Sequence, residues 1–269
     1  MSRSVFKNEA EYTERGRHYH GHDDSEQEWL ATGRYTFALN FVNEKDVCLD
    51  AACGSGYGSE LLSGKARKVI GLDVDEHALS FAQAHHRNEK LSFGMADLTL
   101  PFPLRDECVD VVVSVETVEH VTEHEALLSE FRRVLKRGGR IVVTTVDHAV
   151  YSVRAGIRNR FHVGELTKKE LLDLMSRYFS LEGIYGQIRY VPLPWTKRLG
   201  KRGWVSFVAL LGVVDVFRLR RYVIKKLRLD DAVKAVNQGL SPMKMTEIEK
   251  TDDEGDDDYY QLIVVARKP

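Results

Sequence analysis

At 269 residues and a formal net charge of −1, the chain suits one large domain or a domain with a substantial appendage, and no global field draws it to nucleic acid. Hydrophobic residues make up 43% and charged residues 29%, the balance common in soluble globular proteins. The three cysteines (Cys48, Cys53, Cys108) are odd in number and lie in or beside apolar runs, which excludes a disulfide framework and points to a reducing compartment.

The opening MSRSVFKNEAEYTERGR has no apolar core of signal-peptide length, and no run of about 18 apolar residues follows, so a cytoplasmic protein without a membrane span is expected. Ser25 to Val42 reads as a helix, with Ser25 and Glu28 at capping-box spacing. Lys45 to Ala51 is a short apolar run, Tyr57 to Ser63 a helix start, Lys68 to Leu72 a second apolar run and Glu76 to Arg87 a helix. Leu91 to Met95 and Val109 to Val115 follow, separated by a loop with Pro101 and Pro103. Thr122 to Arg137 has helical spacing, a capping box (Thr122, Glu125) and a Gly138-Gly139 stop, before the strand-like Arg140 to Thr145. Thr167 to Tyr178 is a further helix, again with a capping box (Thr167, Glu170). Glu182 to Arg189 and Tyr260 to Arg267 read as an antiparallel pair at the sheet edge.

Strands alternating with helices mean a parallel sheet covered on both faces, and the valine-rich Val109–Val115 suits its buried centre. The expected fold is therefore α/β, doubly wound. Its expected parts are an N-terminal lid and helix (1–44), a core (45–189), an insert (190–258) and a final edge strand (259–269).

Ligands of such sheets bind outside the carboxyl ends of the strands, where strand order reverses. The stretch Asp50-Ala-Ala-Cys-Gly54-Ser-Gly56-Tyr-Gly58 sits there. A dinucleotide turn wants G-x-G-x-x-G, but Ser59 stands in the third glycine's place. Asp50, at the tip of the first strand, suits an ammonium group better than a pyrophosphate. Asp73 ends the second strand, placed to accept from both hydroxyls of a ribose. Asp97 follows the third strand within reach of an adenine amino group, and the Leu98 N–H could meet a ring nitrogen. A ligand carrying a carboxylate, an amine and a nucleoside is S-adenosylmethionine.

The segments LDAACGSGYGS, GLDVD, ADLTLPFPLRDECVDVVVSVETVEHV and LLSEFRRVLKRGGRIVVTT resemble successive motifs of the class I S-adenosylmethionine-dependent methyltransferases. The resemblance covers about Lys45 to Thr145. It implies a Rossmann-like, seven-stranded, mostly parallel sheet whose last strand is antiparallel, with a helical insert before it. It also implies cofactor contacts at Asp50, Ala52, Gly54, Gly56, Asp73, Val74, Asp97, Leu98, Val115 and Glu116. YTERGRHYHG…GRYTFALNFV and NRFHVGELTKKELLDLMSRYF resemble methyltransferases of surface-polysaccharide and other glycan pathways. Two positions depart from that pattern: Ala31 replaces a histidine, and Asp147-His148 replaces a proline-asparagine pair.

The expected activity is O-methylation of a sugar or lipid-linked glycan. The alternatives are a small-metabolite or quinone-like acceptor, and a cofactor-binding module without catalysis. No basic surface outside the insert and no Asn-Pro-Pro-Tyr-type motif supports nucleic acid as partner. Lys197 to Arg228 holds ten Lys/Arg and one acidic residue around an apolar run, Trp204 to Phe217. That run suits the inner face of an anionic membrane, or equally packing on the sheet or on a second subunit in a homodimer.

His120, His148 and His162 are the candidate catalytic bases, each in a loop expected at the carboxyl edge. His18, His20, His22, Asp23 and Asp24 are spaced for a strand and read as part of a lid over the cofactor; no metal ligands are assigned.

Overall fold

The structure, a computed structural model, describes residues 26–187, 248–251 and 259–269. Chain contacts divide the protein into residues 1–187 with 248–269, and residues 188–247. All of the described helices and strands belong to the first unit. Ser25, the expected histidine-rich lid and the basic-flanked stretch 197–228 lie outside the described residues. No helix among the described residues is long and apolar enough to cross a membrane.

Helix α1 (Glu26–Ala38) leads through a short 3-10 turn into strand β1 (Val47–Ala51). Helix α2 (Tyr57–Ser63), β2 (Lys68–Asp73), α3 (Glu76–His85), β3 (Leu91–Met95) and β4 (Val109–Val115) follow. Then come α4 (His124–Val134), β5 (Leu135–Val146), α5 (Lys168–Ser176), β6 (Ser180–Gln187), β7 (Ile248–Thr251) and β8 (Gln261–Arg267). They form one sheet in the order β3-β2-β1-β4-β5-β8-β6-β7. The first five strands pair in parallel, and β8 runs antiparallel between β5 and β6. Strand order reverses between β1 and β4, which opens a crevice at their carboxyl ends.

Alternation along the central strands explains the two cores. Val112 faces one side with α4 and α5, whose Leu127, Leu128, Phe131, Leu171, Leu172 and Met175 share one apolar stripe. Val111, Val113 and Val115 face the other side with Tyr35 and Ala38 of α1 and Leu62 of α2.

Three details depart from expectation. The sheet has eight strands, because Ile248–Thr251, expected to lie within the insert, pairs with β6. Helix α4 starts at His124, with no side-chain cap on Glu123, so the Thr122–Glu125 box does not form. That helix ends at Val134, ahead of the two glycines. Gly138, at φ +71°, and Gly139 instead lie in a bulge where the β4–β5 register shifts, and a Cβ on Gly139 would sit 2.8 Å from the Asp110 carbonyl. The Thr167–Glu170 box does form: the Thr167 hydroxyl accepts from Glu170 N–H, and the Glu170 carboxylate accepts from Thr167 N–H at 2.9 Å.

Candidate active site

The turn after β1 is shaped by left-handed backbone at Ala52 (φ 61°), Gly54 (φ 52°) and Gly56 (φ 84°). Glu116, directly after β4, is also left-handed (φ 53°). Non-glycine residues in this region cost about 1–3 kcal/mol each and gather at functional sites; Ala52 and Glu116 flank the switch point. A Cβ on Gly54 would meet nothing within 4 Å, so the turn faces open space. On Gly56 it would strike Ala82 and Phe93 at 2.8 and 2.9 Å, and on Gly58 the Tyr35 ring at 2.1 Å. The glycines at 56 and 58 are therefore dictated by what packs under the turn.

Asp73 holds the turn from the tip of β2. Its Oδ2 accepts from Gly54 N–H at 2.8 Å and its Oδ1 from Asp75 N–H at 2.9 Å. Met95 lies across from Asp73 in the register, and exposed Val74, Met95 and Leu100 line this corner with apolar surface. Asp97 is exposed, and its Oδ1 accepts from the Thr99 hydroxyl (2.7 Å) and Thr99 N–H (2.9 Å), which lowers its pKa. Leu98 is buried in the loop after β3, and Val115 is buried at the end of β4.

Asp50 is a correction. Its side chain does not face the crevice; it is fully buried, accepting from the Tyr35 hydroxyl at 2.9 Å and the Ser59 hydroxyl at 2.6 Å. Burial pushes its pKa up to about 6, opposed by those two hydrogen bonds. Asp50 ties α1 and α2 to β1 from beneath the turn.

On the other side of the crevice the three candidate histidines converge. His120 ends a 3-10 turn (Val118–His120), and its ring meets that of His162 edge-on, centroids 4.9 Å apart. The loop carrying His162 is clamped on this turn: Gly164 N–H donates to the Glu119 carbonyl at 3.0 Å, and a Cβ on Gly164 would sit 1.8 Å from the Val121 carbonyl oxygen. His148 precedes a single π-helical turn (Ala149–Arg154), an irregularity common at functional sites.

Glu165 organises the group. Its carboxylate accepts from His162 Nδ1 at 2.7 Å, His148 Nδ1 at 2.9 Å and the Ser152 hydroxyl at 2.5 Å. Burial opposes its ionisation, but these bonds prevail and hold its pKa below the usual range. His120 Nδ1 lies 3.0 Å from the Phe161 carbonyl. A carboxylate or carbonyl at Nδ1 selects the Nδ1–H tautomer and leaves Nε2 as the acceptor.

Deeper in, Glu119 is wholly buried. Its Oε2 accepts from the Thr145 hydroxyl at 2.8 Å, and among the described residues its Oε1 has no hydrogen-bond partner. Burial first, and the neighbouring Glu116 second, push its pKa up to about 8. Glu116 Oε1 is bound by Arg34 of α1 at 3.2 Å and by Gln261 of β8 at 2.5 Å, and Arg34 also donates to Gln187 at 2.9 Å. One ligand atom each from Glu119, His120 and His162 lies within 4.8 Å of the others.

Sequence reasoning named the histidines and Glu116 but missed Glu119, Glu165, Arg34, Gln187 and Gln261. Glu119 adjoins His120, and Glu165 follows His162 by three residues in the same loop; those were the available signals. The partners of Arg34 lie too far along the chain to be read from spacing.

The turn, the Asp73 tip and the switch point mark a nucleoside-binding crevice, and residues 49–143, which include all three, match a family model described as a methyltransferase domain. Over those residues the core is similar to the class I, S-adenosylmethionine-dependent methyltransferases. Over 133 residues the chain is 39% identical to a probable S-adenosylmethionine-dependent methyltransferase of Mycolicibacterium smegmatis, covering 49% of this chain and 50% of that protein. It is 32% identical over 115 residues to the mitochondrial ubiquinone biosynthesis O-methyltransferase of Mus musculus, covering 40% of this chain and 31% of that protein. The chain thus spans about half the length, or less, of these curated relatives. The methyltransferase fold also superposes on the partner of the Trm112 methyltransferase activator in a Haloferax volcanii complex (TM-score 0.59, 18% identity, 89% of this chain and 90% of that one).

The residues present fit S-adenosylmethionine. Space is open over Gly54, the Asp73 carboxylate stands at a strand tip where ribose hydroxyls can donate to it, and Val74, Met95 and Leu100 offer apolar surface for a flat base.

Proposed function

We propose that the chain transfers a methyl group from S-adenosylmethionine to a hydroxyl oxygen of a small, largely apolar acceptor of the quinone-precursor kind. The observation that carries this reading is the Glu165 carboxylate holding Nδ1 of both His148 and His162 at the carboxyl edge, across the crevice from the glycine-rich turn. Val153, Phe161 and Val163, in the segments that carry these histidines, are exposed, and such apolar surface suits an aromatic or isoprenoid acceptor better than a sugar. The likeness to a ubiquinone biosynthesis O-methyltransferase supports the same acceptor class over a glycan.

The reaction is an in-line displacement. Bound in the crevice over Gly54 and Asp73, S-adenosylmethionine would supply an electrophilic methyl group on a sulfonium that leaves as a neutral thioether. The acceptor proton passes to His148 Nε2, and Glu165 stabilises the imidazolium through Nδ1. Alignment supplies about 7–11 kcal/mol of the barrier reduction, and a positioned base adds about 10²- to 10⁴-fold.

The test is an acceptor screen with labelled cofactor. Turnover is expected with hydroxylated quinone precursors, and His148→Gln is expected to lower kcat about 10²-fold or more while cofactor binding persists. Turnover confined to oligosaccharide or lipid-linked sugar pools would return the acceptor to the glycan class. Cofactor binding with no turnover on any pool would leave a binding module.

A further inference from the structure

We propose that Glu119, His120 and His162 form a binding site for one divalent transition cation, with open positions turned toward the acceptor. Three independent features support it. The first is the donor set: two imidazoles and a carboxylate whose ligand atoms all lie within 4.8 Å of one another, contributed by one 3-10 turn and the loop clamped upon it. Ligands about 2.0–2.2 Å from a common ion lie about 3–3.5 Å apart, so a contraction of about 1 Å closes the set.

The second is Glu119 itself. A fully buried carboxylate with one oxygen that has no hydrogen-bond partner among the described residues is an under-compensated group, and a cation compensates it. Arg34, the cation nearest in the network, is committed to Glu116 and Gln187.

The third is the outer layer. Metal-binding histidines donate their second ring N–H to a carboxylate or carbonyl, which fixes the tautomer and aims the ligating nitrogen. His162 Nδ1 faces Glu165 Oε1 at 2.7 Å and His120 Nδ1 faces the Phe161 carbonyl at 3.0 Å. The remaining Glu119 oxygen is held by the Thr145 hydroxyl at 2.8 Å. Each ligand is thus oriented from behind. Two imidazoles and one carboxylate suit zinc, iron(II), manganese(II) or cobalt(II), and three protein ligands leave room for a substrate oxygen. His120 is exposed, so the open side faces outward. Resting on the methyl-transfer reading, an acceptor hydroxyl bound there would lose its proton more readily, with His148 left as the proton's destination.

The experiment titrates chelator-treated full-length protein with Co²⁺ and follows visible absorption, with neither cofactor nor acceptor present. One equivalent is expected, with affinity reduced at least 100-fold by His162→Ala or His120→Asn and about 10- to 100-fold by Glu165→Gln. S-adenosylmethionine affinity, measured in parallel, reports that each variant is folded. No uptake at 100-fold molar excess, or uptake unchanged in both His120→Asn and His162→Ala, would overturn the site; the second result would move the ion to other ligands such as His18, His20 and His22. Because the readout contains no methyl donor, failure here leaves the methyltransferase reading standing, and failed turnover leaves this site standing.

Discussion

Replacing Asp50 with asparagine tests the role assigned to the carboxylate beneath the turn. In the folded protein its pKa lies near 6, against an ordinary value of 3.8, because burial outweighs the hydrogen bonds from Ser59 and Tyr35. The folded state therefore holds the proton more tightly than the unfolded state between those two values. Stability from this group is complete below about pH 3.8 and is lost as pH rises through 6. At about 1.36 kcal/mol per pH unit the loss is on the order of 3 kcal/mol. An asparagine amide can accept from one hydroxyl and donate to the other, keeping both contacts without a charge. Urea unfolding between pH 4 and 7.5 should show Asp50→Asn close to the natural protein at the acidic end and more stable, by up to about 3 kcal/mol, at the neutral end. Its affinity for S-adenosylmethionine should change by less than about threefold. Parallel pH curves for the two proteins, or a variant less stable at pH 7.5, would show that the carboxylate is ionised and favourably held, and would refute the reasoning.

Asp73→Ala removes the acceptor of the Gly54 and Asp75 amides together with the proposed ribose contact. Hydrogen bonds to a charged group are worth about 1.5–3 kcal/mol each, so calorimetry should show cofactor binding at least 10-fold weaker; equal affinity would dismiss the site. Gly58→Ala drives a methyl into the Tyr35 ring, 2.1 Å from its Cζ. Overpacking of this kind costs about 1–3 kcal/mol; thermal unfolding should shift down by several degrees and recover in part when Tyr35→Leu is added. An unchanged midpoint would mean the ring moves freely.

The parallel half of the sheet was legible because its strands are valine-rich, end at carboxylates and alternate with helices: Tyr57–Ser63, Leu91–Met95 and Val109–Val115 were bounded correctly from pattern alone. Local rules misled where tertiary pairing won. Gly138-Gly139 looks like a helix stop, but the β4–β5 ladder captures it as a bulge. Asp50 looks like a pocket carboxylate because strand tips face the crevice, yet Tyr35 lies over Gly58 and takes it inward. In the candidate site, residue types were readable and partnerships were not: the histidines stand out one by one, but nothing local tells that Glu165 serves two of them or that Glu116 meets β8.

Gln187, the last residue of β6, stands directly across from Ile248, the first of β7. Everything between them departs from and rejoins the sheet at neighbouring rungs, so to the ladder it counts as a single hairpin connection. Closing such a connection costs only about 0.6 kcal/mol more for each doubling of its length. A segment of another size or character can therefore be grafted at that rung at little cost in closure entropy, while the β1–β4 switch point, several strands away in the sheet, is left as it was.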